Sequence, residues 1–180
     1  MTVDRNDQRL PTADEEARFW GLLEAAWAPL DNEINQTRRA LASRVPDEKD
    51  DFSLLSVIDD AFEEFLRNLT EQSRGLSAAE LTELDRVLER KLYDIDRADI
   101  QAVTDGSDDG FLYARGFIVA LGPDYYAAVV RDPQMAVLDA DCEGMCYFFA
   151  RLHHERFGGY PETGAGITRE SCSNPTGWSF

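Results

Sequence analysis

Basic residues are few in this sequence: 18 Lys and Arg stand against 35 Asp and Glu, which leaves a formal net charge of −17 at neutral pH. A surface with this charge repels the phosphates of nucleic acids and the headgroups of anionic lipids. We therefore expect neither nucleic acid nor a membrane as a partner. A basic protein, in contrast, would be attracted to the chain and would associate with it faster.

Long apolar runs and paired cysteines are also missing. The longest apolar stretches, residues 117–121 and 125–130, are far shorter than the roughly 18 residues that span a bilayer. The first twenty residues carry five acidic side chains and no apolar stretch, so they are unlike a secretory signal. Three cysteines, an odd number placed late in the chain, do not form a disulfide framework. These features predict a cytoplasmic protein.

Apolar residues recur at steps of three and four through most of the chain, which is the period of amphipathic helices. No segment alternates as a half-buried β-strand does. Thr12 and Glu15 form a capping box that begins the first helix. The sequence therefore predicts an all-α, single-domain helical bundle of about six to seven helices over residues 13–159. A flexible N-terminal arm (1–12) and an irregular C-terminal tail (160–180) are expected to flank it.

Other local signals predict particular helix boundaries. Pro29 separates two helices, and Gly75 is expected to end a helix in a left-handed conformation. A second capping box at Ser77 begins a helix that we expect to run towards Asp99. Residues 139–157 are expected to form one continuous helix.

Several short motifs follow one another in a recognisable order. They are Phe19-Trp20-Gly21-Leu22-Leu23, Leu76-Ser77-Ala78-Ala79-Glu80-Leu81, Ser107-Asp108-Asp109-Gly110-Phe111 with Tyr113, Arg115, Phe117, Ile118 and Gly122, and Asp132-Pro133. Together, over roughly residues 17–157, they resemble the bacterial family called domain of unknown function 4240. The resemblance implies a predominantly helical fold, and it implies no particular activity or cofactor because none is assigned to that family.

The chain departs from the family pattern at two places. Members carry a small residue and a Cys before the Ser-Asp-Asp-Gly-Phe motif, whereas this chain has Asp105 and Gly106. Members also hold a Trp-containing helix upstream, whereas residues 95–103 contain no Trp. If the family shares a ligand, the resemblance implies that this chain has altered it.

The turn at residues 105–110 is the leading candidate site, because negative charge, glycine and the family-like motif coincide there. Asp105, Ser107 and Asp109 fit the first, third and fifth positions of a calcium-binding loop. The twelfth position, however, is Gly116, where such a loop needs a bidentate Glu. We therefore favour a role other than calcium binding.

Helix capping is the structural interpretation of the same turn. Ser107 would cap a helix whose first turn holds acidic residues, which the helix dipole favours. Arg115 lies two turns further on the side of Asp108, where it would pair with that carboxylate or present its guanidinium to an anionic group. The candidate ligand- or partner-binding residues are Asp105, Ser107, Asp108, Asp109, Tyr113 and Arg115.

Cys142 and Cys146 are one helical turn apart, and His153 follows on nearly the same face. With Cys172 from the tail they offer four ligands of the kind that zinc prefers, although the spacing is not that of a zinc finger. Because free cysteines behave as small hydrophobic residues, we favour packing in the core and predict neither a metal nor a cofactor. His154 points away from this face and is expected to contact solvent.

No nucleophile or carboxylate pair has a motif around it that would support catalysis. The sequence therefore favours a non-catalytic acidic binding module, such as an immunity-type inhibitor or a regulatory protein that acts on a basic protein partner. The alternative is a small-ligand or metal-dependent enzyme centred on the turn at residues 105–109. A third hypothesis is a structural subunit whose terminal aromatic residues, Tyr160, Trp178 and Phe180, dock on their own domain or on a neighbour.

Overall fold

A computed structural model of the chain describes residues 8–46, 48–104 and 106–179, with only the backbone for residues 48–50. Nine α-helices occur in these ranges, together with a 3₁₀ turn at Pro133–Met135, and none of the described residues belongs to a β-strand. The helices are α1 (Ala13–Trp27), α2 (Asn32–Ser43), α3 (Glu48–Ser73), α4 (Ala78–Asp94), α5 (Ala98–Thr104), α6 (Asp108–Ala120), α7 (Pro123–Arg131), α8 (Glu143–Cys146) and α9 (Phe148–Phe157). The all-α prediction is confirmed, with more and shorter helices than the six to seven expected.

Local sequence signals place the helix starts correctly. In α1 the Thr12 hydroxyl accepts from the Glu15 backbone N–H at 3.1 Å, and the Glu15 carboxylate accepts from the Thr12 N–H at 2.9 Å. The same reciprocal pair begins α4 at Ser77 and Glu80. Pro29 lies between α1 and α2, which are two separate helices as predicted. Each of these signals acts within about one turn, so its effect does not depend on bringing distant parts of the chain together.

The prediction for Gly75 is wrong. Gly75 has no positive φ, and α3 ends earlier, at Ser73. The chain leaves α3 through two tight turns, in which Arg74 N–H donates to the Glu71 carbonyl and Leu76 N–H donates to the Ser73 carbonyl. These bonds satisfy the last carbonyls of the helix, so no left-handed residue is needed.

The helix that begins at Ser77 stops at Asp94, short of the expected Asp99. The chain turns at Ile95 and Asp96, which are both completely buried, and α5 then begins at Ala98. The Asp96 carboxylate accepts hydrogen bonds from the far end of the chain. A tertiary contact thus ends the helix where the local pattern would continue it.

The expected single helix over residues 139–157 is also wrong. Only α8 and α9 are helical there, with a break at Tyr147. Before α8 the chain approaches α6 closely, and Cys142 N–H donates to the Tyr113 carbonyl at 3.0 Å. A Cβ at Gly116 would lie 2.6 Å from both the Cys142 carbonyl oxygen and the Cys146 Sγ. This backbone contact with α6 takes Cys142 out of any continuous helix.

The core is built around α6, in which nine of thirteen residues are buried. An aromatic cluster joins it to α1 and α3: the ring of Trp27 stacks on Phe65 with centroids 4.3 Å apart, and Phe62 meets Phe117 edge to face. The Trp27 indole N–H also donates to the Ala120 carbonyl at 2.8 Å. None of the helices in the described part of the chain combines the length and apolar composition needed to cross a bilayer.

The C-terminal tail, of which residues 160–179 are described, contains neither helix nor strand and lies against α4 and α6. Trp178 packs edge to face on Phe111, with centroids 6.0 Å apart. The described part of the N-terminal arm meets the tail, because Arg9 N–H donates to the Gly164 carbonyl at 2.9 Å. Trp178 therefore docks on its own domain and not on a neighbour. Phe180 lies outside the described residues.

Substitution by alanine at two helical glycines should change the stability of the fold in opposite directions. Gly116→Ala should destabilise the fold by about 1 to 3 kcal/mol, because its Cβ would press on Cys142 and Cys146. Gly21→Ala, inside α1, should stabilise it by up to about 1 kcal/mol, because nothing lies within 4 Å of the added atom. Urea unfolding followed by circular dichroism measures both. Equal effects of the two substitutions would contradict the close approach of α6 and α8.

Candidate functional site

The turn before α6 acts as a helix cap. The Ser107 hydroxyl accepts from the Gly110 backbone N–H at 3.3 Å, and the exposed side chains of Asp108 and Asp109 occupy the first turn, where the helix dipole favours them. The Asp108 carbonyl accepts a hydrogen bond from the Ser171 hydroxyl of the tail. The capping interpretation is therefore confirmed for the described residues, and Asp105 lies outside them.

Arg115 does not pair with Asp108, and it does not reach the surface. It is completely buried and donates to the Leu92 carbonyl at 2.9 Å, the Arg169 carbonyl at 2.9 Å and the Ser171 hydroxyl at 3.1 Å. Burial lowers the pKa of its guanidinium. The expected pairing is wrong because residue 115 falls on the inner face of α6, where it holds backbone carbonyls of two distant segments.

A groove with a volume of about 670 Å³ opens beside this turn, between α4, α6, α8, α9 and the tail. Carboxylates and tyrosines dominate its polar lining. The carboxylates are Asp85, Glu89, Asp109, Glu143 and Glu170, and the tyrosines are Tyr113, Tyr147 and Tyr160. Only two arginines, Arg151 and Arg169, oppose this negative charge within the lining described.

Arg169 forms the floor of the groove and is almost completely buried. Its guanidinium binds both carboxylate oxygens of Asp85, at 3.0 and 3.2 Å, and lies 3.6 Å from Glu89. It also donates to the Cys146 carbonyl at 2.8 Å and lies 4.8 Å from the ring centre of Tyr147. Although burial opposes it, the Asp85 carboxylate raises the pKa of Arg169. At the floor of the groove, the positive charge of Arg169 is therefore balanced by the carboxylate of Asp85.

We call the edge of the groove that contains Asp109, Tyr113, Glu143, Tyr147 and Glu170 its rim. The carboxylates there lie beside tyrosines instead of arginines. The Tyr147 hydroxyl donates to Glu170 at 2.7 Å, and partial burial together with this bond raises the pKa of Tyr147 to about 12. Across the groove, the negative charge of Glu143, with a smaller contribution from Asp109, raises the pKa of Tyr113. A tyrosine hydroxyl adds no positive charge, and neither Glu143 nor Glu170 forms an ion pair with another side chain of the described residues, so the rim places carboxylates beside aromatic rings.

The rim and floor contain two of the residues expected from the sequence, Asp109 and Tyr113. Ser107, Asp108 and Arg115 are not part of the lining, because they cap α6 or bind the tail. Sequence reasoning did not place Asp85, Glu89, Glu143, Tyr147, Arg169 or Glu170 in the site, and it named Tyr160 only as a docking residue of the tail. Asp85 carried a signal, because it stands four residues after Leu81 and three before Leu88, inside the apolar stripe of α4. A charged residue in such a stripe requires a partner from elsewhere in the chain.

The two central cysteines are core residues, as favoured from the sequence. Cys142 and Cys146 are buried, and burial raises the pKa of each thiol to about 12. Cys172 is exposed, and His154 is exposed and stacks on Tyr160 with ring centres 4.4 Å apart. Within the described ranges, no three His, Cys, Asp or Glu side chains lie close enough together to hold a metal ion.

The fold and the groove define an all-α protein with an acidic, tyrosine-lined groove. The family model described as protein of unknown function (DUF4240) matches residues 47–153, and the chain belongs to this family. The resemblance carried by the short motifs is confirmed, although Phe19-Trp20-Gly21-Leu22-Leu23 lies before the matched range. No curated protein and no solved structure matches the chain.

The thiols should differ sharply in reactivity. In the folded protein an aromatic disulfide reagent should modify Cys172 alone, and all three cysteines should react in guanidinium chloride. Desolvation and the nearby Asp96 and Asp108 raise the pKa of Cys172, so its rate should increase as the pH rises. Absorbance of the released thiolate measures the reaction. Cys172→Ser should abolish the native reaction and Cys146→Ser should not; the opposite pattern would contradict the burial of α8.

Proposed function

We propose that this protein is a non-catalytic binding module that receives a basic segment of a protein partner in its groove, as an immunity-type inhibitor or a regulatory protein does. The observation that carries the proposal is the rim, where the carboxylates of Glu143 and Glu170 lie beside Tyr113 and Tyr147. A guanidinium group is matched to this arrangement, because it can donate to a carboxylate in its plane and stack on an aromatic ring.

The groove has a suitable size for side chains from one partner segment. Its volume of about 670 Å³ lies within the range of common ligand sites. Its floor is already closed by the Asp85–Arg169 pair, so an incoming cation would meet the rim carboxylates first. The overall charge of −17 would speed the encounter with a basic partner, and the groove would decide the orientation.

The chemistry of the described side chains favours binding over catalysis. Burial raises the pKa of the Cys146 thiol to about 12, which keeps it protonated at neutral pH and makes it a poor nucleophile. The Ser107 hydroxyl is engaged in capping α6. An enzyme centred on residues 105–109 stays a prediction, because Asp105 lies outside the described residues and Arg115 is not available to an anionic substrate.

The probe for this proposal is a fluorescently labelled nona-arginine peptide, with binding measured by anisotropy at low salt. The double variant Glu143→Gln with Glu170→Gln should weaken binding by about tenfold, because it removes two rim charges. The matched control, Glu63→Gln with Glu64→Gln, removes the same charge from exposed positions on α3, which contributes nothing to the groove. Its effect should be about twofold at most, since it alters only the long-range field.

A nona-lysine peptide of equal charge separates stacking from simple attraction. It should bind more weakly than nona-arginine, because an ammonium group lacks the planar surface that stacks on tyrosine. Equal losses in the groove variant and the α3 variant would overturn the proposal, since binding would then report only net charge. Equal affinities for the two peptides would remove the role assigned to the tyrosines.

A further inference from the structure

Buried charge in this protein is concentrated at one place. In the described part of the chain five charged side chains are buried: Asp85, Arg86, Asp96, Arg115 and Arg169. Arg169 belongs to the tail, and each of the other four bonds to the tail. Because an unpaired buried charge is very costly, these residues need the partners that the tail supplies, although Arg86 also pairs with Glu15 at 3.1 Å and Arg115 also donates to the Leu92 carbonyl.

Asp96 makes the densest of these contacts. Its carboxylate accepts from three successive backbone N–H groups, those of Cys172 at 3.0 Å, Ser173 at 2.7 Å and Asn174 at 3.0 Å. It also accepts from the Trp178 indole N–H at 2.8 Å. All four donors belong to the tail, so hydrogen bonds from the tail replace the water that this carboxylate would otherwise keep.

Three further side chains hold the tail at other points along its length. Arg86 Nε donates to the Thr163 carbonyl at 2.6 Å, and Arg115 donates to the Arg169 carbonyl. Asp85 binds the Arg169 guanidinium. The four receptor residues, Asp85, Arg86, Asp96 and Arg115, all lie within the family-matched range, whereas the tail follows it. The matched domain therefore carries a polar track for an extended segment.

The tail differs from the helices in how it is bound. Ala165 is the one buried apolar residue among residues 160–179, and Trp178 packs on the core while only partly buried, whereas the helices pack through a continuous apolar core. Polar contacts are exchanged for contacts with water when a segment leaves, so their net contribution is small. Segments with few buried apolar contacts open at lower free energy than the core does.

We infer that the C-terminal tail is a docked peptide that leaves the helical domain without unfolding it, and that Asp96 holds it in place. The tail supplies one wall of the groove, including Tyr160, Arg169 and Glu170. Resting on the proposed function, the inference adds that docking of the tail and binding of a basic partner are thermodynamically linked, since each favours the same state.

Native-state hydrogen exchange, followed by NMR on the full chain, tests the separate opening of the tail. The amides of Cys172, Ser173 and Asn174 should exchange at least about tenfold faster than buried amides of α6 such as that of Val119. The Trp178 indole, assigned with Trp178→Phe, should follow the tail amides. Exchange of tail and α6 amides at one common rate would overturn the inference, because the tail would then open only by global unfolding.

Asp96→Asn tests the holding residue, because an amide nitrogen cannot accept the hydrogen bonds of the carboxylate oxygen it replaces. The variant should lower protection of the tail amides by a further factor of about ten and leave the helical circular dichroism in place. Asp124→Asn, at an exposed position on α7, is the control for the charge change. If Asp96→Asn does not fold, Asp96 stabilises the core as well as the tail. Its assignment as the residue that holds the tail alone is then overturned.

A separate experiment tests whether docking of the tail is linked to binding of a peptide in the groove. Saturating nona-arginine should slow exchange of the tail amides, and Asp96→Asn should weaken peptide binding although Glu143 and Glu170 are both retained. Failure of the peptide to bind would contradict the proposed function and leave the exchange result standing. Peptide binding that leaves tail exchange unchanged would overturn the linkage alone.

Discussion

The hydrogen bonds that the Asp96 carboxylate accepts from the tail are the contact on which the site depends. A completely buried carboxylate persists only when its charge is satisfied, and here three backbone amides and an indole donate to it. The same contact ends α4, aligns the tail along α4 and α6, and brings Arg169 to Asp85. The tail that Asp96 holds supplies one wall of the groove.

Two parts of the chain form the groove: the family-matched range and the tail that follows it. The family-matched range supplies the wall that includes Asp109, Tyr113, Glu143 and Tyr147, and the tail supplies the opposite one. The two parts meet directly at the edge of the groove, because the Tyr147 hydroxyl of the family-matched range donates to Glu170 of the tail. A different tail on the same helical domain would present a different groove.

The structure shows where the acidic residues of this chain lie and which of them have partners. Much of it serves helix starts, as in the first turns of α1 and α6, where the helix dipole stabilises carboxylates without any partner. Asp85 is neutralised by Arg169. The rim carboxylates Glu143 and Glu170 remain, beside tyrosines and without an ion pair to another side chain of the described residues. Only this small part of the acidity borders the groove, and it is the part on which the proposed function rests.

The helical class, both capping boxes, the division at Pro29 and the burial of Cys142 and Cys146 follow from the sequence, because periodicity, capping and hydrophobicity act over a few residues. The breaks at Ile95 and Tyr147, the inward position of Arg115 and the groove itself do not. The Asp85–Arg169 pair joins residues 84 positions apart, and no local pattern encodes such a pairing. Local signals determined where α1 and α4 begin, whereas tertiary contacts, among them those that satisfy the buried carboxylates of Asp85 and Asp96, determined where α4 stops and how the groove is enclosed.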